Sequence, residues 1–182
     1  TVVTPTLVAY RSSFEPREDL PADPRRKYIA RSSVEKAKEW LKPLPPEIIA
    51  GRKIVLEEFK KLVGMMNEAG VSLMAGTDLA GPRLYPGFSL HEEMVLLVEA
   101  GLRPLEALQA ATRNPARHLG LIEKAGTIEK GKRADAVLLD ANPLEDIRNI
   151  STVRAVILGG RPLDRDELDR LLAEAARLAD KN

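Results

Sequence analysis

Apolar and polar positions change rhythm several times along the chain. Residues 2–8 form a run of β-branched and apolar side chains broken by Thr4-Pro5-Thr6, which predicts a strand with its proline at an irregular end or an edge. From residue 11 to 51 the rhythm is lost and proline recurs at 16, 21, 24, 43, 45 and 46. A long excursion is expected there, with a short helix over residues 34–41 anchored by Trp40. Over residues 53–69 the rhythm becomes helical: Val55, Phe59, Leu62 and Met66 form one amphipathic stripe, and Gly70 is placed to cap its C-terminus. "VSLMAGTD", residues 71–78, follows as a short, mostly apolar strand of the kind buried on both faces in a parallel sheet. "SLHEEMVLLVEAG" then opens on Ser89, with Glu92 three residues on as in a capping box, and closes at Gly101. Strand, long link, helix, strand, helix is a βαβα series, which belongs in a parallel α/β sheet.

Residues 103–120 read as two further short helices, with Asn114-Pro115 opening the second. After Gly120 the texture changes. "AGTIEKGKRADAVLLDANP" has glycine-punctuated short strands, and "VRAVILGGRPL" has the pattern of a hairpin through Gly159-Gly160. From residue 164 an amphipathic helix carries Leu168, Leu171, Leu172, Ala175 and Leu178 on one face, which either packs on the chain or serves a partner. There is no internal repeat.

Composition narrows the function by exclusion. The 182 residues suit one domain, or one domain with a small appendage. Lys+Arg 28 against Asp+Glu 27 gives a net charge of +1, and aromatics are 4%, so neither a phosphate-binding face nor a base-stacking platform is expected: no nucleic acid partner. Cysteine is absent, which removes disulfides, thiolate metal sites and a cysteine nucleophile. No apolar run is long enough to span a membrane, and no membrane partner is expected. The chain opens without methionine and inside a strand-like run, so Thr1 is expected to be a cut edge.

Three motifs in order resemble the C-terminal part of the amidohydrolase superfamily, especially its imidazolonepropionase-like and dipeptidase-like members. They are "AGVSLMAGTD", "LHEEMVLLVEAGLRPLEALQAATRNPARHLGL", and "AGTIEKGKRADAVLLDANPLEDI" with "VRAVILGGRPL" behind it. The resemblance implies an α/β fold: the C-terminal portion of a (β/α)8 TIM-like metal-dependent hydrolase barrel, its last two strands, plus part of the small composite β-domain. Residues 2–7 would be the seventh barrel strand, residues 53–69 the seventh helix, and Asp78 would end the eighth strand. By the same token residues 1–120 would be the partial barrel with its excursion at 11–51. Residues 121–163 would be the β-domain segment and 164–182 a terminal helix.

That face of a barrel is where its loops converge on one pocket. The resemblance therefore implies that Asp78 is both metal ligand and catalytic proton shuttle, working with a divalent metal, zinc, on a small-molecule substrate with an amide, cyclic amide or dipeptide-like C–N bond. A cation lowers the pKa of bound water towards about 7, and a carboxylate beside it can take that water's proton and return it to the leaving nitrogen. Arg83 and Tyr85, in the loop after Asp78, and His91, in the first turn of the next helix, are the candidate substrate-binding residues.

The family's other ligands are His-x-His and further histidines from earlier strands. Here there are two histidines, His91 and His118, neither in such a pair, and His118 reads as a packing or surface position near a helix end. Zinc needs at least three protein ligands. The isolated chain is therefore expected to be inactive by itself, with a missing N-terminal barrel half or self-association supplying what it lacks. The alternative is a non-catalytic oligomerising or binding module derived from the same fold, since two barrel strands would leave open edges.

Overall fold

The computed structural model describes residues 1–14, 23–33, 44–79 and 83–181. The helix expected over residues 34–41, with Trp40, lies outside them. Strand β1 (Val2–Val3) runs parallel to β2 (Ser72–Leu73), Val2 opposite Ser72 and Val3 opposite Leu73. Met74 extends the ladder by donating its N–H to the Val3 carbonyl at 2.9 Å. Parallel strands need a long crossover. It is made by α1 (Leu7–Ser12), a 3-10 turn (Pro24–Tyr28) and α2 (Pro46–Glu68).

Beyond β2 come α3 (Phe88–Glu99), α4 (Pro104–Ala111) and α5 (Arg113–His118). A second sheet follows, antiparallel in the order β3 (Ala136–Leu139), β4 (Val153–Leu158), β5 (Arg161–Leu163). Its β4–β5 hairpin turns through Gly159 and Gly160 at φ 58° and 85°, the pair of positive angles that a type I′ turn requires. The last element, α6 (Arg165–Lys181), packs on β4 and on the 3-10 turn (Pro24–Tyr28).

One apolar core packs against the parallel pair. At its centre α3 buries Leu96 and Leu97, Leu7 and Val8 come from α1, Leu73 from β2, and Ala107 and Ala110 from α4. Ile147 and Ile150, from a 3-10 turn (Ile147–Ser151) that leads into β4, enter the same core. Both helix ends read from glycine close as expected. After α2, Gly70 at φ 73° lets Val71 donate back to Met66 at 2.9 Å; after α3, Gly101 at φ 104° lets Leu102 donate to Leu97 at 3.1 Å.

Several expectations are corrected. The strand expected over residues 71–78 is only Ser72–Leu73 and ends five residues before Asp78. The run at residues 2–8 is not one strand: the ladder takes Val2 and Val3, and Leu7 begins a helix. Pro5 has no N–H to give a ladder and Thr6 is left-handed at φ 51°, so the chain turns there. The apolar character of Leu7 and Val8 reflects burial against α3, not strand pairing. Helix α2 begins at Pro46 rather than at 53, proline being well suited to a first helical position.

The stripe expected on α2 lies only at the margin of the core: Met66 packs against it and the Phe59 ring meets Tyr10 edge-on at 5.0 Å between centroids. Leu56 and Val63 are buried, whereas Val55, Phe59 and Leu62 are 39%, 40% and 47% exposed. Apolar residues occupy two stripes on this helix, about a quarter-turn apart at 3.6 residues per turn, and periodicity alone does not rank them. Gly64 does. A Cβ there would stand 2.5 Å from the Ala100 carbonyl oxygen, so its side of α2 is the one pressed against the end of α3.

Finally, Ser89 is not the cap of α3. Gly87 at φ 79° precedes the helix, Ser89 sits inside it with its Oγ accepting the Tyr85 N–H at 2.8 Å, and Glu92 is used elsewhere. On α6 the packed residue is Ala179, while Leu171 and Leu172 stay 54% and 37% exposed. Among the described residues no helix is long and apolar enough to cross a membrane.

Candidate functional site

β2 delivers Asp78. Past Leu73 the chain is held on both sides: Met74 bonds to β1, while Asn114 Nδ2 donates to the Leu73 carbonyl at 2.8 Å and Ala75 donates to the Ala110 carbonyl at 2.9 Å. The edge of β2 turned away from β1 is thus bonded to α4 and α5. Asn114 serves this junction rather than capping α5, which starts at Arg113. At Gly76 the backbone passes so close to the Thr4 methyl that a Cβ would collide with it. Thr77 is half-buried and Asp78 is exposed. Asp78 is also left-handed at φ 44°, a region where Asp is among the few tolerated residues. The carboxylate therefore leaves the end of the parallel pair on a bent, solvent-open turn.

The loop that follows does not leave Tyr85 open. The ring is 1% exposed and covered by the Arg25 guanidinium, whose Cζ lies 4.5 Å from the ring centroid. Burial, then the nearby Asp23 charge, raises the phenol pKa, with Arg25 and Arg83 opposing. Arg83 is half-buried and within electrostatic reach of that ring. His91 is half-buried in the first turn of α3, where burial lowers its pKa and the Glu92 charge acts against the shift. His118 is exposed at the end of α5. The structure thus brings Arg83 and Tyr85 together, and sets His91 one residue from the acid that organises this corner.

That acid is Glu92, expected from its spacing to Ser89 to cap α3. Arg11 of α1 reaches its Oε2 at 3.3 Å, and Arg25 of the 3-10 turn (Pro24–Tyr28) bonds its Oε1. Arg25 also grips Asp23 in a two-point bond, Nε to Oδ1 at 3.0 Å and a terminal nitrogen to Oδ2 at 2.8 Å. That bond is the chief cause lowering the Asp23 pKa and raising that of Arg25. Tyr28 stacks on Phe88 at 5.6 Å between centroids, pinning the same turn on the start of α3. The roles of Arg11 and Arg25 are not legible locally because their partner Glu92 lies far along the chain, 67 residues from Arg25; only the Asp23–Arg25 pair is local. The dense charge around 23–27 was the only local signal.

The donor set does not amount to a metal site on its own. Among the described residues no group of three His, Cys, Asp or Glu side chains is placed to hold an ion, and Asp78 stands as a single donor.

Comparison with known proteins fits this geometry. The profile of the family described as "Amidohydrolase family" matches residues 32–163. Ochratoxinase of Aspergillus niger is 34% identical over 118 residues, 58% of this chain and 24% of the relative. Imidazolonepropionase of Thermoplasma volcanium is 34% identical over 96 residues, 51% of this chain and 24% of the relative. Among solved structures, a bottromycin amidohydrolase superposes with a TM-score of 0.79 at 27% identity, covering 98% of this chain and 40% of that one. A Xaa-Pro dipeptidase with bound methionine gives 0.62 at 28% identity, covering 90% and 34%. The chain spans about a quarter of the length of the curated relatives named here.

Proposed function

Since the chain belongs to the amidohydrolase family, we propose that it is the C-terminal segment of a hydrolase acting on a C–N bond (an amide, cyclic amide or dipeptide-like bond) of a small molecule. In this reading residues 1–120 are the last two βα units of a (β/α)8 barrel, 121–163 part of its small β-domain and 164–182 a terminal helix. The parallel β1–β2 pair, the helices after it and the separate antiparallel sheet support that division.

The observation that carries the reading is the position of Asp78, exposed on the turn that follows the parallel pair. An ionised carboxylate there can take a proton from a water attacking the scissile carbonyl carbon. As the C–N bond breaks it returns the proton to the leaving nitrogen. Arg83 and His91 are the candidate partners for substrate, Arg83 for a carboxylate. Tyr85 acts by holding Arg25 and the loop in shape. In the family a divalent metal polarises the carbonyl, and Asp78 would be one of its ligands. The others would come from polypeptide outside this chain, which therefore does not hydrolyse substrate alone.

The test joins this chain to the N-terminal barrel segment of a relative such as the Aspergillus niger ochratoxinase and measures amide hydrolysis. The expected result is activity in the joined protein and its loss by two orders of magnitude or more in Asp78→Asn. Equal rates with and without that substitution would show that Asp78 is not the proton carrier.

One observation favours a second reading, a self-associating module. On α2, Ile54, Phe59, Leu62 and Met65 are 66%, 40%, 47% and 64% exposed, an apolar face of the kind that a partner covers. Sedimentation of the chain separates the readings: a stable dimer without activity supports the module, and a monomer at micromolar concentration removes it.

A further inference from the structure

Helix α3 sends one carboxylate inward. Glu93 is 0% exposed and accepts the Val8 N–H on Oε2 at 2.7 Å, across 85 residues of sequence. The N–H groups of Leu7 and Thr6 also favour its charge. The start of α1 needs such a partner. Thr6 is left-handed at φ 51°, which a β-branched residue seldom adopts, and provides no side-chain cap. Glu93 caps α1 from another helix.

Its second oxygen is the telling one. Oε1 is buried and finds no hydrogen-bond partner among the described residues. A carboxylate with one bare oxygen in an apolar core is costly, whereas the acid form keeps the Val8 bond on Oε2 and leaves a neutral hydroxyl, not a charge, on the unpartnered side. The charges around it do not reverse this. Arg11 of α1 favours the ionised form but is engaged with Glu92, which in turn binds Arg25. The other elements packed on α3 carry paired charges: Lys60 of α2 with Glu57 and Glu99, Glu106 of α4 with Arg103, and Arg148 of the 3-10 turn (Ile147–Ser151) with Asp146. His91, on α3 itself, is half-buried with a lowered pKa.

We propose that Glu93 is a proton-operated cap: protonated, it holds the start of α1 on α3 without burying a charge, and ionised, the cost of its charge in the core weakens the native packing of α1 on α3. The junction adjoins the strand ends, since Thr4, two residues before Thr6, abuts Gly76, two residues before Asp78. The switch is independent of any hydrolytic activity. Burial pushes the Glu93 carboxyl up to about 7, the backbone donors and Arg11 opposing without cancelling it. The unfolded chain releases this proton at the ordinary value of 4.5. Between the two values the native state holds a proton that the unfolded state has lost. The favourable contribution is therefore complete below the unfolded value and is lost as pH rises through about 7.

Three measurements on the 182-residue chain test this: urea unfolding at pH 5 and pH 8 with and without Glu93→Gln, hydrogen exchange of the Val8 amide, and a carboxyl-carbon NMR titration of Glu93. Relative to the glutamine variant, the unsubstituted chain should lose roughly 100-fold in its folding equilibrium constant between pH 5 and 8. Val8 exchange, corrected for its intrinsic pH dependence, should speed up over the same range in the unsubstituted chain alone, and the carboxyl midpoint should fall near 7. The same pH dependence in both proteins, or a midpoint in the usual range near 4.5, would overturn the proposal. If the variant does not fold, the titration of the unsubstituted chain decides by itself.

Discussion

Two glycines on one helix offer a controlled test of how α2 meets the core. Gly51 and Gly64 both lie in α2, so alanine at either position gains about 1 kcal/mol from helix propensity. Their surroundings differ completely. A Cβ at Gly51 would meet nothing within 4 Å, while one at Gly64 would stand 2.5 Å from the Ala100 carbonyl oxygen, a backbone atom that cannot swing aside. Ordinary van der Waals contact needs about 3.4 Å or more, so α2 and the end of α3 must separate by nearly an ångström. Overpacking of that kind costs about 1–3 kcal/mol. Gly51→Ala should therefore stabilise the chain by up to about 1 kcal/mol, and Gly64→Ala should leave it unchanged or destabilise it by as much as about 2 kcal/mol. For a chain of this length 1 kcal/mol moves Tm by about 2–4 °C. Thermal unfolding followed by circular dichroism should thus show shifts that differ between the variants by several degrees. Equal stabilisation by both alanines would mean that the α2–α3 approach is not close, and that Gly64 does not select the buried face of α2.

Two further substitutions probe the strand end that carries Asp78. Asn114→Ala removes the donor to the Leu73 carbonyl and should cost about 1–2 kcal/mol in urea unfolding, with faster exchange of the Ala75 amide beside it; no change in either would show that the α5 contact does not hold the β2 edge. At Asp78 itself the left-handed backbone makes the outcome depend on shape: Asp78→Gly should leave Tm at or above its starting value, whereas Asp78→Val should cost about 1–2 kcal/mol. A glycine variant that loses as much stability as the valine one would rule out strain at this turn. Together with Asp78→Asn in the joined protein, this separates what the carboxylate does for the fold from what it does for hydrolysis.

The sequence by itself determined the features set by residues within about five positions of one another. Gly70 and Gly101 end their helices because only a left-handed residue lets the next N–H reach back over the last turn. Gly159-Gly160 makes the hairpin because two positive φ angles in a row suit few other pairs. The ordered motifs around Asp78 were enough to point to the family, but the strand they suggested over residues 71–78 is only Ser72–Leu73, and Asp78 lies five residues beyond it.

Tertiary structure alone decided what depends on a distant partner. Leu7 and Val8 are as apolar as a strand would be, and become helical because a bend at Pro5-Thr6 and a cap from Glu93 place them on α3. The two apolar stripes of α2 are equivalent until Gly64 meets Ala100. Tyr85, expected to face substrate, is roofed by Arg25, and Glu92, expected to cap its own helix, binds two arginines from elsewhere. Periodicity records that a side chain is apolar or charged. Which neighbour it meets is set by how the helices pack, and that is not written within any single helix.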